Sequence, residues 1–99
     1  MRSEEKIKQM EEILNKNIEI NQKLEEILTE INNDTSFAKL IDYYYSNERD
    51  EHLKLDEKGV LDHLPRGVLS EDGIWSVITQ RTELAFLMLD IIKKILKNE

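Results

Sequence analysis

Residues 4–31 read EEKIKQMEEILNKNIEINQKLEEILTEI, a stretch with helical periodicity. Ile7, Met10, Leu14, Leu24, Leu28 and Ile31 recur at three- and four-residue spacing, and Ile13, Ile20 and Ile27 lie seven apart beside them. This is one wide apolar stripe on a long helix. A helix of roughly 28 residues is about 42 Å long, which needs an apolar partner along its length. Ser3 is placed to cap it, with Glu4 and Glu5 suiting the positive helix end. Asn17 and Asn21 interrupt the stripe. Asn on a coiled-coil seam costs stability but fixes register. The blander explanation is that the helix drifts there and Ile18 and Ile20 fill in.

Working outward, Asn32-Asn33-Asp34 signals a turn, and Asp34 or Thr35 can cap the next helix. Phe37, Leu40, Ile41, Tyr44 and Tyr45 then trace a second amphipathic face, which predicts a tyrosine helix over about 35–49. Residues 50–69 read as a connector. Within it, Asp50 to Lys58 can form a short helical piece closed by Gly59, and Pro65 disfavours helix at Leu64. Ser70 is the expected cap of a last helix over about 71–97. The apolar face of that helix, broadest at residues 84–96, is wider than a surface helix needs, so it is expected to be buried on more than one side. The expected fold is all-α. It is a single domain over residues 1–99, an elongated antiparallel bundle of two long helices with one or two shorter ones packed against them. The broad face leaves apolar surface for a homodimer through the first and last helices.

Composition narrows the function classes. Among 99 residues there are 14 Lys or Arg, 21 Asp or Glu and no Cys, for a formal net charge of -7. Disulfides, zinc–thiolate sites and thiol catalysis are excluded, and a cytoplasmic setting fits. The acidic balance argues against direct nucleic-acid binding, which needs basic residues in excess. The first residues lack the pattern of a secretory signal, and no apolar run has the length of about 20 residues that spans a bilayer, so no membrane role is expected. Residues 34–72 hold ten acids and five bases, so the acidity is concentrated in the middle.

Few constellations carry chemistry. His52 and His63 with Asp50, Asp56 or Asp62 match no metal motif, and exposed connector histidines explain them better. No Gly-x-Ser-x-Gly elbow or phosphate-binding glycine loop is present. An enzyme is not expected, nor a cofactor. Tyr43-Tyr44-Tyr45 is the most unusual run, because three successive helical residues point about 100° apart and cannot share one face. Tyr44 and Tyr45 continue the apolar face. Tyr43 either covers an edge of the first helix or anchors a partner. Trp75 either pins the connector or does the same. Tyr43, Arg49, His52, Arg66 and Trp75 surround the irregular segment and are the candidate partner-binding residues.

Asp42-Tyr43-Tyr44-Tyr45-Ser46, the acidic stretch ending Asp56-Glu57-Lys58-Gly59, and Arg66-Gly67-Val68-Leu69-Ser70-Glu71-Asp72 resemble the bacterial family named domain of unknown function 4298. Resemblance extends to the flanking helices and covers nearly the whole chain. The sequence departs from the family's pattern at Arg49, where an aromatic is usual, and at His52, where an acid is usual. Pro65 also sits unusually close to Arg66-Gly67. What the resemblance implies is a recurring fold and a bacterial or phage origin, with no chemistry attached. In the run itself, Gly67 is expected to supply unusual backbone freedom, and Val68 and Leu69 to plug the core ahead of the Ser70 cap.

Two roles follow as expectations. The first is a non-enzymatic protein-interaction module whose partner is a protein, including a second copy of itself. The alternative is a small acidic inhibitor, of phage anti-CRISPR, antitoxin or immunity type, that covers a basic nucleic-acid-handling protein surface. Loss of binding with added salt separates them.

Overall fold

A computed structural model describes residues 2–98. It is all-α: four helices and one 3-10 turn, with no strand among the described residues. The helices are α1 (Arg2–Asn33), α2 (Ser36–Tyr44), α3 (Asn47–Glu57) and α4 (Gly73–Lys97), and the 3-10 turn is Gly67–Leu69. Among the described residues no helix is long and apolar enough to cross a membrane. The chain divides into two compact units, one ending at Thr35 and the other beginning at Ser36.

The first unit is α1. It starts at Arg2, so Ser3 lies inside the helix instead of capping it. None of its described residues is buried. Its apolar stripe is exposed throughout, from Ile7 at 63 % to Ile31 at 43 %. Asn17 turns its side-chain amide back to the Ile13 carbonyl, 2.8 Å away, within the same helix.

The second unit contains the remaining helices. The tyrosine helix expected over 35–49 is two helices broken at Tyr45-Ser46. Ser46 is the cause. Its hydroxyl donates to the Tyr43 carbonyl at 2.6 Å and accepts the Arg49 backbone N–H at 3.1 Å. It thereby closes α2 and opens α3, the dual use of a short hydroxyl that favours caps over helix interiors. The helical piece inside the connector is real but begins earlier, at Asn47. Gly59 ends it in the left-handed region, at φ 77°, which costs glycine no Cβ clash.

Ser70 performs the expected capping chemistry two residues upstream of the residue that flanks α4. Its hydroxyl accepts the Gly73 N–H at 3.0 Å and donates to the Gly67 carbonyl at 2.7 Å. The glycine that this corner needs is Gly73, not Gly67. A Cβ at Gly73 would overlap the Gly67 carbonyl oxygen and stand 2.5 Å from Ser70 Oγ, whereas one at Gly67 would meet nothing within 4 Å. Nor does Gly67 adopt a positive φ; Gly59 is the described residue that does. The plug expected at Val68 and Leu69 is also displaced by a few residues. Val68 is exposed, Leu69 half-buried, and the buried core residue is Ile74 at 2 %. A shallow apolar groove of Leu40, Pro65, Val68 and Val77 adjoins it. The face of α4 at residues 84–96, expected to be buried on more than one side, is exposed along its length.

Gly73→Ala is expected to lower the stability of the second unit by about 2 kcal/mol, because backbone cannot yield as a side-chain tip can. Gly67→Ala should stay within about 0.5 kcal/mol of the parent, as open surface sites do. Thermal unfolding followed by circular dichroism measures both.

Candidate functional site

The break at Ser46 positions the site. It turns the chain so that the first turn of α3 returns over the last turn of α2. The Arg49 guanidinium carbon lies 4.9 Å from the Tyr44 ring centre, a cation–π distance. The same guanidinium donates through Nε to the Val68 carbonyl at 3.1 Å and through Nη2 to the Ser70 carbonyl at 3.2 Å. Its planar fork thus ties α3 to the segment that caps α4. Trp75, in the first turn of α4, stacks on Tyr44 with ring centres 6.2 Å apart and planes 26° apart. Tyr45 meets Tyr44 edge-on at 5.0 Å.

The result is a cleft lined by Tyr44, Tyr45, Glu71, Asp72 and Trp75. Tyr45 is 69 % and Trp75 47 % exposed. Two ring faces beside two carboxylates can receive a cationic or amide-bearing side chain, with ring and charge acting on it together.

The five sequence candidates are not one cluster. Arg49 and Trp75 meet through Tyr44. Tyr43 and His52 form a second pair, with the phenol oxygen 2.7 Å from His52 Nδ1 and ring centres 5.7 Å apart. Either partner donates, according to the imidazole tautomer. The other ring nitrogen faces Glu48 at 3.7 Å, too long for a hydrogen bond and an ion pair only when the imidazole is protonated. Arg66 forms a third group. Its Nη1 bonds Asp56 at 2.7 Å and Asp62 at 2.9 Å, and its Nε donates to the Leu64 carbonyl at 3.2 Å. The hydrogen bond to Asp56 is the main cause that holds the Arg66 guanidinium above its ordinary pKa; desolvation opposes it, and the charges of Asp56 and Asp62 add to it. Arg66 therefore stays cationic and clips the connector to the end of α3.

Each of Tyr43, Arg49, His52 and Arg66 is thus half-buried and tied within the chain, and Trp75 alone of the five offers an exposed ring. Tyr44, Tyr45, Glu71 and Asp72 were not singled out as a site from sequence. The signal was present in the tyrosine run and in the Glu71-Asp72 pair, but nothing local said that they would meet. Arg81, over the Phe37 ring at 4.3 Å, is a further cation–π contact that links α2 to α4. Among the described residues no group of three or more His, Asp or Glu is placed to hold a metal ion.

The family model described as Domain of unknown function (DUF4298) matches residues 7–91. The chain belongs to this family. No curated protein and no solved structure matches it. The DUF4298 match takes in the Ser46 break, the Gly67–Gly73 corner and all five candidate residues.

Arg49→Ala is expected to cost about 1–2 kcal/mol through loss of its two carbonyl bonds, and Arg49→Lys should recover little because a point ammonium cannot span both. Trp75 is the single tryptophan of the chain, so its emission should shift red in both variants as its stack on Tyr44 loosens. An unchanged spectrum would remove Arg49 as the brace of the cleft.

Proposed function

We propose that the chain is a non-enzymatic protein-interaction module that associates with itself. The observation that supports this is uncovered apolar surface. Twenty-six large hydrophobic residues are exposed while the core contains Ile74 alone among the described residues. They are not scattered. On α1 they form one stripe; on α4 they recur as Leu84, Leu87, Met88, Ile91, Ile92 and Ile95, each at least 36 % exposed. Continuous apolar faces of this extent exceed what a solitary soluble chain leaves in water, and a helix with no packed face is marginal at any propensity. A second copy covers such faces and completes the helical bundle.

A second reading is favoured by the cleft. Glu71 and Asp72 beside Tyr44, Tyr45 and Trp75 suit a Lys or Arg of a basic protein surface, as an acidic inhibitor of a nucleic-acid-handling protein requires. The two readings differ in how added salt acts. Apolar association persists or strengthens, whereas charge-steered binding falls steeply.

Light scattering at micromolar concentration is expected to return at least twice the 11.7 kDa chain mass, with no loss on raising salt. A chain mass matching one copy at every concentration would contradict self-association.

A further inference from the structure

The stripe on α1 is self-complementary when two copies run antiparallel. With Ile7, Leu14, Asn21 and Leu28 as one seam position of a heptad, Met10, Asn17, Leu24 and Ile31 fall on the other. These two sets mirror each other about Glu19. Ile7 and Ile31 are equidistant from it, as are Met10 and Leu28, Leu14 and Leu24, and Asn17 and Asn21. All lie inside α1, and every apolar member is at least 43 % exposed. We infer that α1 is a self-recognition helix that pairs antiparallel with α1 of a second copy, across a two-fold axis at Glu19. The inference rests on the self-association reading and names its surface and orientation.

Antiparallel pairing places each residue of one seam set opposite its mirror residue from the other copy. Apolar then meets apolar at Ile7–Ile31, Met10–Leu28 and Leu14–Leu24, each formed twice. The polar residues meet each other too, Asn17 with Asn21, and their amides can bond across the seam. This gives the two asparagines one role: a mispaired register leaves a polar amide against a hydrocarbon side chain.

The flanking positions choose between orientations. In an antiparallel pair like flanks face like, so Ile20 meets Ile20 and Ile13 meets Ile27 on one side, and Ile18 meets Ile18 on the other. Isoleucines therefore close over the polar centre from both sides. In a parallel pair unlike flanks face, which keeps Ile13 against Ile18 but sets Ile20 against Glu25 and Ile27 against Asn32. Charge agrees. Residues 2–9 carry three bases and two acids, and residues 25–33 carry three acids and no base. Antiparallel pairing brings these unlike ends together and opposes the helix dipoles, whereas parallel pairing stacks the two acidic ends. One like-charge pair, Glu11 with Glu25, also formed twice, falls at the exposed rim, where screening keeps its cost small. Ten large apolar side chains of α1 are exposed, and a stable interface buries roughly 800 Å² per partner.

The chain has no cysteine, so single spin labels can be placed cleanly. Glu5→Cys and Asn33→Cys put them on the helix face opposite the seam, at positions equidistant from Glu19. Full-length chains labelled at 5 and at 33 are mixed, and distances are read by double electron–electron resonance beside the light-scattering mass. The expected result is a dimer in which the 5-to-33 pair lies at the same level, while 5-to-5 labels are offset by about 42 Å along the axis at 1.5 Å per residue. A dimer with 5-to-5 labels at one level and 5-to-33 labels offset overturns the antiparallel pairing and leaves self-association standing. So does a dimer with no label pair at one level, which moves the interface off α1. A monomer overturns both.

Discussion

Ile74 is the one described residue that is withdrawn from water, at 2 % exposure, and the second unit is arranged around the corner that places it. Ser70 and Gly73 form that corner. The serine hydroxyl takes the first free N–H of the helix, and the absent Cβ of the glycine lets the Gly67 carbonyl approach. Arg49 then fastens the same segment from α3 by bonding the carbonyls of Val68 and Ser70. Because Arg49 also lies over Tyr44, and Tyr44 stacks on Trp75, the brace that holds the core corner is the brace that shapes the cleft. Stability and the exposed aromatic surface of this unit have a common origin.

That small core sets the second constraint. The chain is 39 % hydrophobic, and among the described residues Ile74 is the buried one, so much apolar surface is left to be covered. Packing of an amphipathic face, not intrinsic propensity, supplies most helix stability in water. On the self-association we propose, the long apolar stripes of α1 and α4 are covered in an assembled state. Self-association joins the sequence pattern, the exposure and the thermodynamics without asking anything of the acidic surface. The cleft remains available on this account, since it lies at the α2–α4 corner and draws on none of the stripe residues.

What was legible in the sequence follows physical range. α1 and α4 could be read almost to their ends because many residues repeat one periodicity, and an error at any one of them is outvoted. The break at Ser46 could not. The apolar spacing of Phe37, Leu40, Ile41, Tyr44 and Tyr45 runs smoothly into it, and only the two hydrogen bonds of one hydroxyl decide that the helix stops there. Gly67 and Gly73 look equally apt in sequence, since the difference is a close approach of backbone visible only in three dimensions. The candidate site was legible as a set of residue types and not as a grouping. Tyr43 pairs with His52 within one local turn of the chain, but Arg49 acts on carbonyls 19 and 21 residues away. No periodicity reports contacts of that range.

On the self-association we propose, the stripe of α1 is covered by another copy. Hydrogen–deuterium exchange of the α1 amides, followed as protein concentration rises through the micromolar range, tests it most directly. Pairing of α1 with its copy should give protection of residues 7–31 that grows with concentration, strongest at the middle of the seam around Glu19. Exchange in α1 that stays fast and independent of concentration would contradict it.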